Sequence, residues 1–333
     1  MSHSLTAGLK IVGTGRALPR LARTASELDR AHGQEDGFFA DKTGVITRYF
    51  CTDETQIDLA MQAAGLALED SGLAAADIDL IISAAAVPYQ PIPSTAPLLQ
   101  QRLGIADGAC FAFDVNATCL GFPTALTVAN GLLKSGLHQT ILIVASELAS
   151  RGLPWKDQPE VAGLFGDGAA AAVLRTGAGC GVKAARFTTY AEAYEACQIG
   201  AGGTRFDFDT EPVAFATHSK FDMNGKELFR VAARHFDTFV GALLADAGVR
   251  HADLDCVVAH QASPAGLDHM IRACDFSPEQ VINIVADVGN QIAASIPFVL
   301  DYARRAGRIK EGNRIALLGT SAGVSFGGLV LEL

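Results

Sequence analysis

Apolar and polar positions follow the same order twice along the chain: an amphipathic stretch, a glycine turn and a short apolar run. Segment 70–82, which reads DSGLAAADIDLII, is matched by segment 246–258, which reads DAGVRHADLDCVV. The amphipathic stretches predict helices, and the apolar runs predict buried strands. A unit of roughly 170 residues is too long for a stacked repeat. We therefore expect two halves of one globular α/β fold, 1–175 and 176–333.

One apolar run leads directly to a cysteine. Residues 110–113 predict a buried strand and residues 120–133 predict a helix, with Cys119 between them. The first amides and the macrodipole of a helix point at such a sulfur and favour the thiolate, which is a soft nucleophile at neutral pH. The alternative is a structural cysteine, because burial in the core is the commoner fate of a free cysteine.

The duplication places an amide near this thiol, and the end of a further apolar run adds an imidazole. Gly136 and Gly307 occupy equivalent turns, and the offset between them carries Cys119 onto Asn290. Pseudo-twofold symmetry would then bring the starts of two equivalent helices together. His260 directly follows another apolar run, at the strand end where ligands bind in α/β sheets. A lone histidine there is more often structural, but three such side chains from separate strand ends indicate an active site.

An ordered set of motifs surrounds these residues and covers nearly the whole chain. In order, they are GTG at 13–15, KTGV at 42–45, DVNATCLGF at 114–122, FGDGA at 165–169, HQA at 260–262, GN at 289–290 and GVSFG at 323–327. Together they resemble the β-ketoacyl-[acyl carrier protein] synthase III branch of the thiolase superfamily. The resemblance implies a thiolase-like fold, in which the duplicated halves form a five-layered αβαβα architecture.

The resemblance also implies an acyltransferase with defined roles for the matched residues. Cys119 would carry the acyl group as a covalent thioester. His260 and Asn290 would hydrogen-bond the carbonyl of a malonyl thioester, which loses carbon dioxide and attacks the acyl group. The β-ketoacyl product would serve fatty-acid, polyketide or related biosynthesis. The backbone N–H groups of Cys119 and Ala322 would hold the oxyanion, and alanine would be strained there only at a positive φ.

The coenzyme A site of the family is matched less well than the catalytic centre. Phe38 or Phe39 stands in place of the family's adenine-stacking tryptophan, shortly before Lys42. Ser263 replaces an asparagine, and an arginine expected a few residues before Phe165 is missing. We therefore expect a donor bound to an acyl carrier protein, with acyl-CoA as the alternative donor.

Five other positions carry expected partner contacts. The resemblance places Ile92 where one subunit of a homodimer touches the other's acyl pocket. Arg151 would meet an acidic acyl tail, unless it is a surface or dimer residue. Lys226, Arg230 and Arg234 share one face of a predicted helix. This face would dock an acidic carrier protein, and its alternative role is that of an ordinary solvated surface.

Composition excludes several other classes of function. A formal net charge of −10 opposes nucleic-acid binding. Seven scattered cysteines without a C-x-x-C pair argue against a disulfide framework and a structural zinc site, and favour a reducing cytoplasm. The first ten residues lack a signal-type apolar core, and the chain has no apolar run long enough for a membrane span. We expect a cytoplasmic enzyme without a metal or cofactor.

Two alternative functions stay open at the level of sequence. The same acyl-enzyme on Cys119 could pass its acyl group to an alcohol, an amine or another carrier without forming a carbon–carbon bond. An inactive scaffold subunit is the more remote alternative, because the Cys–His–Asn set is intact. The sequence does not identify the acyl group or the pathway. It also assigns no role to segment 190–203.

Overall fold

The computed structural model describes residues 8–333. The sequence-based expectation that a signal-type apolar core is lacking concerns residues 1–10, and the first seven of these lie outside the described residues. The strands are β1 Gly8–Ala17, β2 Leu21–Thr24, β3 Thr47–Phe50, β4 Leu80–Ser83, β5 Phe111–Asp114, β6 Thr140–Glu147, β7 Gly168–Gly177, β8 Gly181–Thr189, β9 Cys197–Gln198, β10 Asp222–Met223, β11 Cys256–Ala259, β12 Arg314–Ser321 and β13 Ser325–Glu332. The α-helices are α1 Ala25–His32, α2 Phe38–Thr43, α3 Gln56–Ser71, α4 Thr95–Arg102, α5 Gly121–Ser135, α6 Pro159–Ala162, α7 Pro212–Thr217, α8 Gly225–Ala247, α9 Pro264–Ala273, α10 Val285–Val288 and α11 Ser295–Arg305.

Two mixed sheets form the centre of the molecule. The five-stranded sheet has the order β1-β7-β6-β4-β5, and the four-stranded sheet has the order β11-β12-β13-β8. Each sheet contains a parallel pair, β4–β6 in the first and β11–β12 in the second, and an antiparallel strand follows this pair, β7 or β13. The first sheet uses strands from residues 8–177 and the second from residues 181–332. This separation supports the proposed division near residue 175.

Helices lie outside both sheets and between them. Helices α3 and α4 cover the outer face of the first sheet, and α8 and α9 cover the outer face of the second. Helices α5 and α11 are buried between the sheets, where Phe122 and Phe298 belong to the same hydrophobic cluster as Ile143 of one sheet and Leu317 of the other. The order of layers is therefore αβαβα, and the predicted thiolase-like fold is confirmed.

The repeated sequence segments adopt the same local structure. Gly72 ends α3 and Gly248 ends α8, both in the left-handed conformation, with φ of 68° and 67°. Side chains other than glycine rarely adopt this conformation, which explains a glycine at both positions. Asp77 and Asp253 then each accept the backbone N–H three residues before them, at 2.8 Å. Each turn leads into a buried parallel strand, so the duplication read from the sequence is structural.

Strand β5 differs from the expectation of a buried strand. It lies at the edge of the five-stranded sheet and pairs on one side only, with β4. Phe111 is 61% exposed there. Because its exposed side chains are apolar, this edge strand has the same sequence pattern as a buried central strand. An exposed apolar edge of this kind is typical of a surface that a second chain covers.

Candidate active site

The structure places the three predicted catalytic side chains on one cavity of about 750 Å³. Cys119 lies between β5 and α5, one residue before the N-cap Leu120. His260 directly follows β11, and Asn290 lies two residues after α10. The two halves of the chain therefore supply this site jointly, the first with a thiol and the second with an imidazole and an amide.

A tight turn presents the sulfur of Cys119. Thr118 adopts a left-handed backbone conformation, with φ of 47°, and its N–H donates to Oδ1 of Asn116 at 2.9 Å. The hydroxyl of Ser321 donates to the carbonyl of Ala117 at 2.9 Å and hydrogen-bonds the hydroxyl of Thr118. These hydrogen bonds hold the β12–β13 turn against the turn that carries Cys119. The sequence did not point to Thr118 or Ser321.

Two backbone N–H groups face the sulfur. They belong to Cys119 itself and to Ala322 in the β12–β13 turn, and both lower the pKa of the thiol. Ala322 is absent from the described residues with positive φ, so alanine is not strained there. Two backbone donors at one point suit an oxyanion hole, and this role for Cys119 and Ala322 stays a prediction.

The protonation state of Cys119 differs from the sequence-based expectation. Burial raises the pKa of the thiol well above its usual range, and neighbouring Cys197 and Glu147 raise it further. The two N–H groups lower the pKa by less than burial raises it. The direction of this shift is opposite to the one expected from the helix start, and it favours the thiol over the thiolate.

The raised pKa predicts a steep pH dependence for alkylation of Cys119. Only the thiolate reacts with iodoacetamide, so the rate should rise about tenfold for each pH unit as long as the pH is below the pKa. We expect this rise without a plateau between about pH 6 and 9. Mass spectrometry of the peptide that contains Cys119 measures the rate. A rate that levels off below about pH 8 would show that the helix start dominates after all.

Cys197 and Glu147 are neighbours of the sulfur that sequence reasoning missed. Cys197 belongs to the unassigned segment 190–203, lines the cavity, and has its own pKa raised to about 12 by burial. Glu147 is fully buried, which raises its pKa to about 8, and its Oε1 accepts the N–H of Ala86 at 2.6 Å. A carboxyl group at the end of the apolar strand β6 was the available signal for Glu147.

His260 is a neutral hydrogen-bond donor. Burial lowers its pKa to about 4, so the imidazole is uncharged at neutral pH. Its Nδ1 is buried and has no hydrogen-bond partner within residues 8–333. A proton on Nδ1 would lack an acceptor, so we assign the single ring proton to Nε2. The sequence-based assignment of Nε2–H as a donor is consistent with this environment.

Hydrogen bonds fix the orientation of the Asn290 side chain. Its Oδ1 accepts the backbone N–H of Ile292 at 2.8 Å, and its Nδ2 donates to the carbonyl of Ala262 at 3.3 Å. Its backbone N–H donates to the carbonyl of Leu164 at 2.8 Å. With the amide oxygen engaged by the backbone, the second N–H of Nδ2 remains for a ligand carbonyl.

The predicted substrate contacts divide into two groups. Arg151 and Ser263 line the cavity. The hydroxyl of Ser263 also caps α9, where it accepts the N–H of Gly266 at 3.1 Å. Ile92 is 87% exposed and lies outside the cavity wall of this single chain. Lys42 is exposed and also lies outside that wall.

The aromatic residues around α2 form a cluster of their own. Phe39 is fully buried, so the expectation that its ring contacts a ligand is wrong. Its ring meets those of Phe38 and Trp155 edge-on, at 5.2 Å and 6.0 Å between centroids. Trp155 in turn stacks on His32 at 4.4 Å. Phe38 is half-buried, and none of these rings lines the cavity.

The predicted basic face is exposed on α8. Lys226, Arg230 and Arg234 all lie on the solvent side of this helix. Arg234 lies 3.9 Å from the carboxylate of Glu192, which reduces its free charge. Phe229 on the same helix is 48% exposed and lines the cavity. The basic face therefore lies beside the cavity.

Metal ligands and membrane spans were also searched for over residues 8–333. Within this range no group of three or more His, Cys, Asp or Glu side chains is arranged to hold a metal ion. None of the helices in the same range combines the length and the apolar character needed to cross a membrane.

Comparisons with known proteins agree with the fold. The family model described as "3-Oxoacyl-[acyl-carrier-protein (ACP)] synthase III" matches residues 113–192. The model for the "C terminal" part of the same synthase matches residues 244–333. The first match contains Cys119, and the second contains His260 and Asn290.

Individual relatives align over nearly the whole chain. The β-ketoacyl-[acyl-carrier-protein] synthase III of Rhizorhabdus wittichii is 37% identical over 97% of this chain and 98% of its own. The synthase of the same name from Synechocystis sp. is 34% identical over 99% of both chains. The crystal structure of 3-oxoacyl-[acyl-carrier-protein] synthase III from Aquifex aeolicus superposes with a TM-score of 0.87 and 31% identity, over 98% of this chain and 100% of that one. The chain belongs to the 3-oxoacyl-[acyl-carrier-protein] synthase III family, whose members are acyltransferases.

Proposed function

We propose that this enzyme loads an acyl group onto Cys119 and condenses it with a malonyl thioester held by His260 and Asn290. One observation carries the proposal: a thiol that faces two backbone N–H groups shares a cavity with a neutral imidazole and an oriented amide. The first pair of donors suits the oxyanion of attack by sulfur, and the second pair suits the oxyanion of an enolate. The product is a β-ketoacyl thioester.

The loading step needs only the thiol and the incoming thioester. The sulfur of Cys119 attacks the carbonyl carbon, and the developing oxyanion accepts hydrogen bonds from the N–H groups of Cys119 and Ala322. When the oxyanion collapses, the bond to the donor sulfur breaks. The donor leaves as a thiol and takes the proton that Cys119 loses. The acyl group remains on the enzyme as a thioester.

The condensation step starts with loss of carbon dioxide. The malonyl thioester carbonyl accepts hydrogen bonds from Nε2 of His260 and Nδ2 of Asn290, so the electron pair of the breaking C–C bond moves into an enolate. The enolate carbon then attacks the acyl thioester carbonyl. The bond to sulfur breaks, and Cys119 takes up a proton and returns to the thiol. Neither step transfers electrons to an acceptor, so we propose no bound cofactor.

We further propose that the acyl donor is carried by an acyl carrier protein. A carrier is acidic and so is this chain, so docking needs a local basic surface such as Lys226 and Arg230 on α8. The ring of Phe39 is buried and Trp155 stacks on His32, which leaves Phe38 alone to stack on an adenine. The surface thus favours a protein carrier over coenzyme A.

Charge reversal on α8 tests this docking surface. Lys226→Glu with Arg230→Glu should raise the apparent KM for a carrier-bound acyl group by roughly three- to tenfold, because exposed charges act on encounter. The same acyl group on coenzyme A should be little affected, and the wild type should show the higher kcat/KM with the carrier. Lys134→Glu with Lys310→Glu changes the net charge equally on other surfaces and should change neither value. Equal effects on carrier and coenzyme A substrates, or a wild-type preference for coenzyme A, would contradict the proposed donor.

We propose a homodimer in which a second copy closes the acyl side of the cavity. Val87 and Tyr89 line the cavity yet are 47% and 45% exposed, and Ile92 beside them is 87% exposed. The open edge of β5 with Phe111 adds to this apolar surface. Analytical ultracentrifugation should give the mass of a dimer, and Phe111→Lys should shift the equilibrium towards the monomer. A monomeric wild type would contradict this part of the proposal.

We also propose a cytoplasmic location. The seven cysteines all lie within the described residues and remain free thiols. Two of them, Cys119 and Cys197, line the same cavity, and a nucleophilic thiol has to stay reduced to carry an acyl group.

A further inference from the structure

Two hydroxyl groups join the residues that directly precede the two backbone donors facing the sulfur. Thr118 precedes Cys119 in one turn, and Ser321 precedes Ala322 in the β12–β13 turn. The two hydroxyls hydrogen-bond each other, and the carbonyl oxygen of Ala117 lies 2.8 Å from the hydroxyl oxygen of Thr118 and 2.9 Å from that of Ser321. Each hydroxyl has a single proton, so one donates to this carbonyl and the other donates to its partner hydroxyl. The pair therefore links the two turns next to their donors.

Cavities lie on both sides of this link. A second cavity of about 460 Å³ adjoins the catalytic cavity, and its wall includes Ala117, Thr118, Ser321 and Ala322. Thr118, Ser321 and Ala322 also line the catalytic cavity. These residues thus separate two cavities, so close packing holds them less firmly than it holds residues of the core. Hydrogen bonds then supply the rigidity that an oxyanion hole needs.

Thr118 also holds an unfavourable backbone conformation. Its φ of 47° lies in the left-handed region, which a β-branched residue rarely adopts and which persists where surrounding contacts hold it. From the first half of the chain, Asn116 accepts the N–H of Thr118 at 2.9 Å through Oδ1 and donates to the carbonyl of Ala86 at 2.8 Å through Nδ2. From the second half, Ser321 holds the same turn through its hydroxyl. The hydroxyl pair is thus the contact between the two halves at this turn.

We propose that Thr118 and Ser321 are positioning residues, whose hydroxyls fix the separation of the Cys119 and Ala322 N–H groups during acyl transfer. This inference rests on the proposed function, in which these N–H groups stabilise the oxyanion of the loading step. Donors that are fixed in advance lower the barrier, because they need no rearrangement as the charge develops. Both hydroxyls are engaged with the protein, so they act through the backbone donors and not on the acyl thioester. Their loss should lower the maximal rate of loading and leave the half-saturating concentration of the acyl thioester nearly unchanged.

Variants of the hydroxyl pair test this role. Ser321→Ala and Thr118→Ala should each lower the maximal rate of acyl loading about 10- to 100-fold, because a small misplacement of a catalytic donor is costly. The double variant should lose no more than either single variant, because removal of one hydroxyl already breaks the link. Thr118→Ser keeps the hydroxyl and should load within about threefold of the wild type. Single-turnover loading at several acyl thioester concentrations, read by intact mass, separates the maximal rate from the half-saturating concentration.

A second hydroxyl pair provides a matched control. Thr189 and Ser325 hydrogen-bond each other through their hydroxyls at 2.8 Å across β8 and β13, and they line the second cavity rather than the catalytic one. Ser325 is also the strand partner of Ser321. Ser325→Ala should therefore load acyl groups like the wild type. Alkylation of Cys119 by iodoacetamide forms no oxyanion, so its rate in Ser321→Ala should stay within about threefold of the wild-type rate.

Each other outcome overturns the inference. Wild-type loading by Ser321→Ala and Thr118→Ala would do so and would leave the proposed function standing. An equal loss in Ser325→Ala, or alkylation slowed as much as loading, would indicate a general disturbance of the turns. A raised half-saturating concentration at an unchanged maximal rate would mean that the hydroxyls bind the donor instead. If wild-type Cys119 gains no acyl mass, the proposed function itself fails. Should Ser321→Ala not fold, the comparison of Thr118→Ala with Thr118→Ser decides.

Discussion

Cys119→Ser should abolish acyl loading, with a loss on the order of 10⁴- to 10⁶-fold, as is typical when a catalytic nucleophile is removed. A serine hydroxyl is far less acidic than a thiol and needs a strong base to attack a thioester. His260 cannot supply one, because burial lowers its pKa to about 4. Intact-protein mass spectrometry after incubation with an acyl thioester measures the gain of acyl mass directly.

Cys197→Ser provides a matched control for this result. Cys197 lines the same cavity and is half-buried like Cys119, but no backbone N–H group is among the causes that shift its pKa. We expect this variant to load acyl groups like the wild type. If Cys119→Ser loads acyl groups at a near wild-type rate, or if only Cys197→Ser loses loading, Cys119 is not the nucleophile.

Features encoded by local residue order could be predicted from the sequence. Gly72 and Gly248 end their helices in the left-handed conformation, and Asp77 and Asp253 cap the turns that follow. Such signals depend on a few adjacent residues, so they appear in the sequence twice and reveal the duplication. The duplication in turn relates Asn290 to the nucleophile from residue order alone.

Features set by contacts between distant segments could not be predicted. The sulfur of Cys119 is desolvated among segments far apart in sequence, including the β12–β13 turn and the strand that carries Cys197. A helix start favours the thiolate by a local effect, whereas burial by distant segments raises the pKa of the thiol. Phe39 is buried in the same way, under Trp155, which lies more than a hundred residues later.

His260→Ala and Asn290→Ala should separate loading from condensation. Each variant should still load acyl groups onto Cys119, because the donors for that step are backbone N–H groups of Cys119 and Ala322. Each should lose decarboxylation of the malonyl thioester by about 10²- to 10³-fold, the effect of removing one donor to an oxyanion. Release of labelled carbon dioxide from the malonyl carboxylate and acyl mass on the protein measure the two steps.

The pattern across the two variants distinguishes condensation from the alternative chemistries. Burial lowers the pKa of His260 to about 4, so its imidazole stays neutral above that pH and keeps its single proton on Nε2. His260→Ala should therefore reduce decarboxylation by the same factor from about pH 5 to 8. Asn290→Asp serves as a near-isosteric control, because it keeps the shape and removes the donor. Wild-type carbon dioxide release from both alanine variants would contradict the condensation and leave simple acyl transfer from Cys119. Loss of loading in both variants would instead show that these side chains act on the thiol.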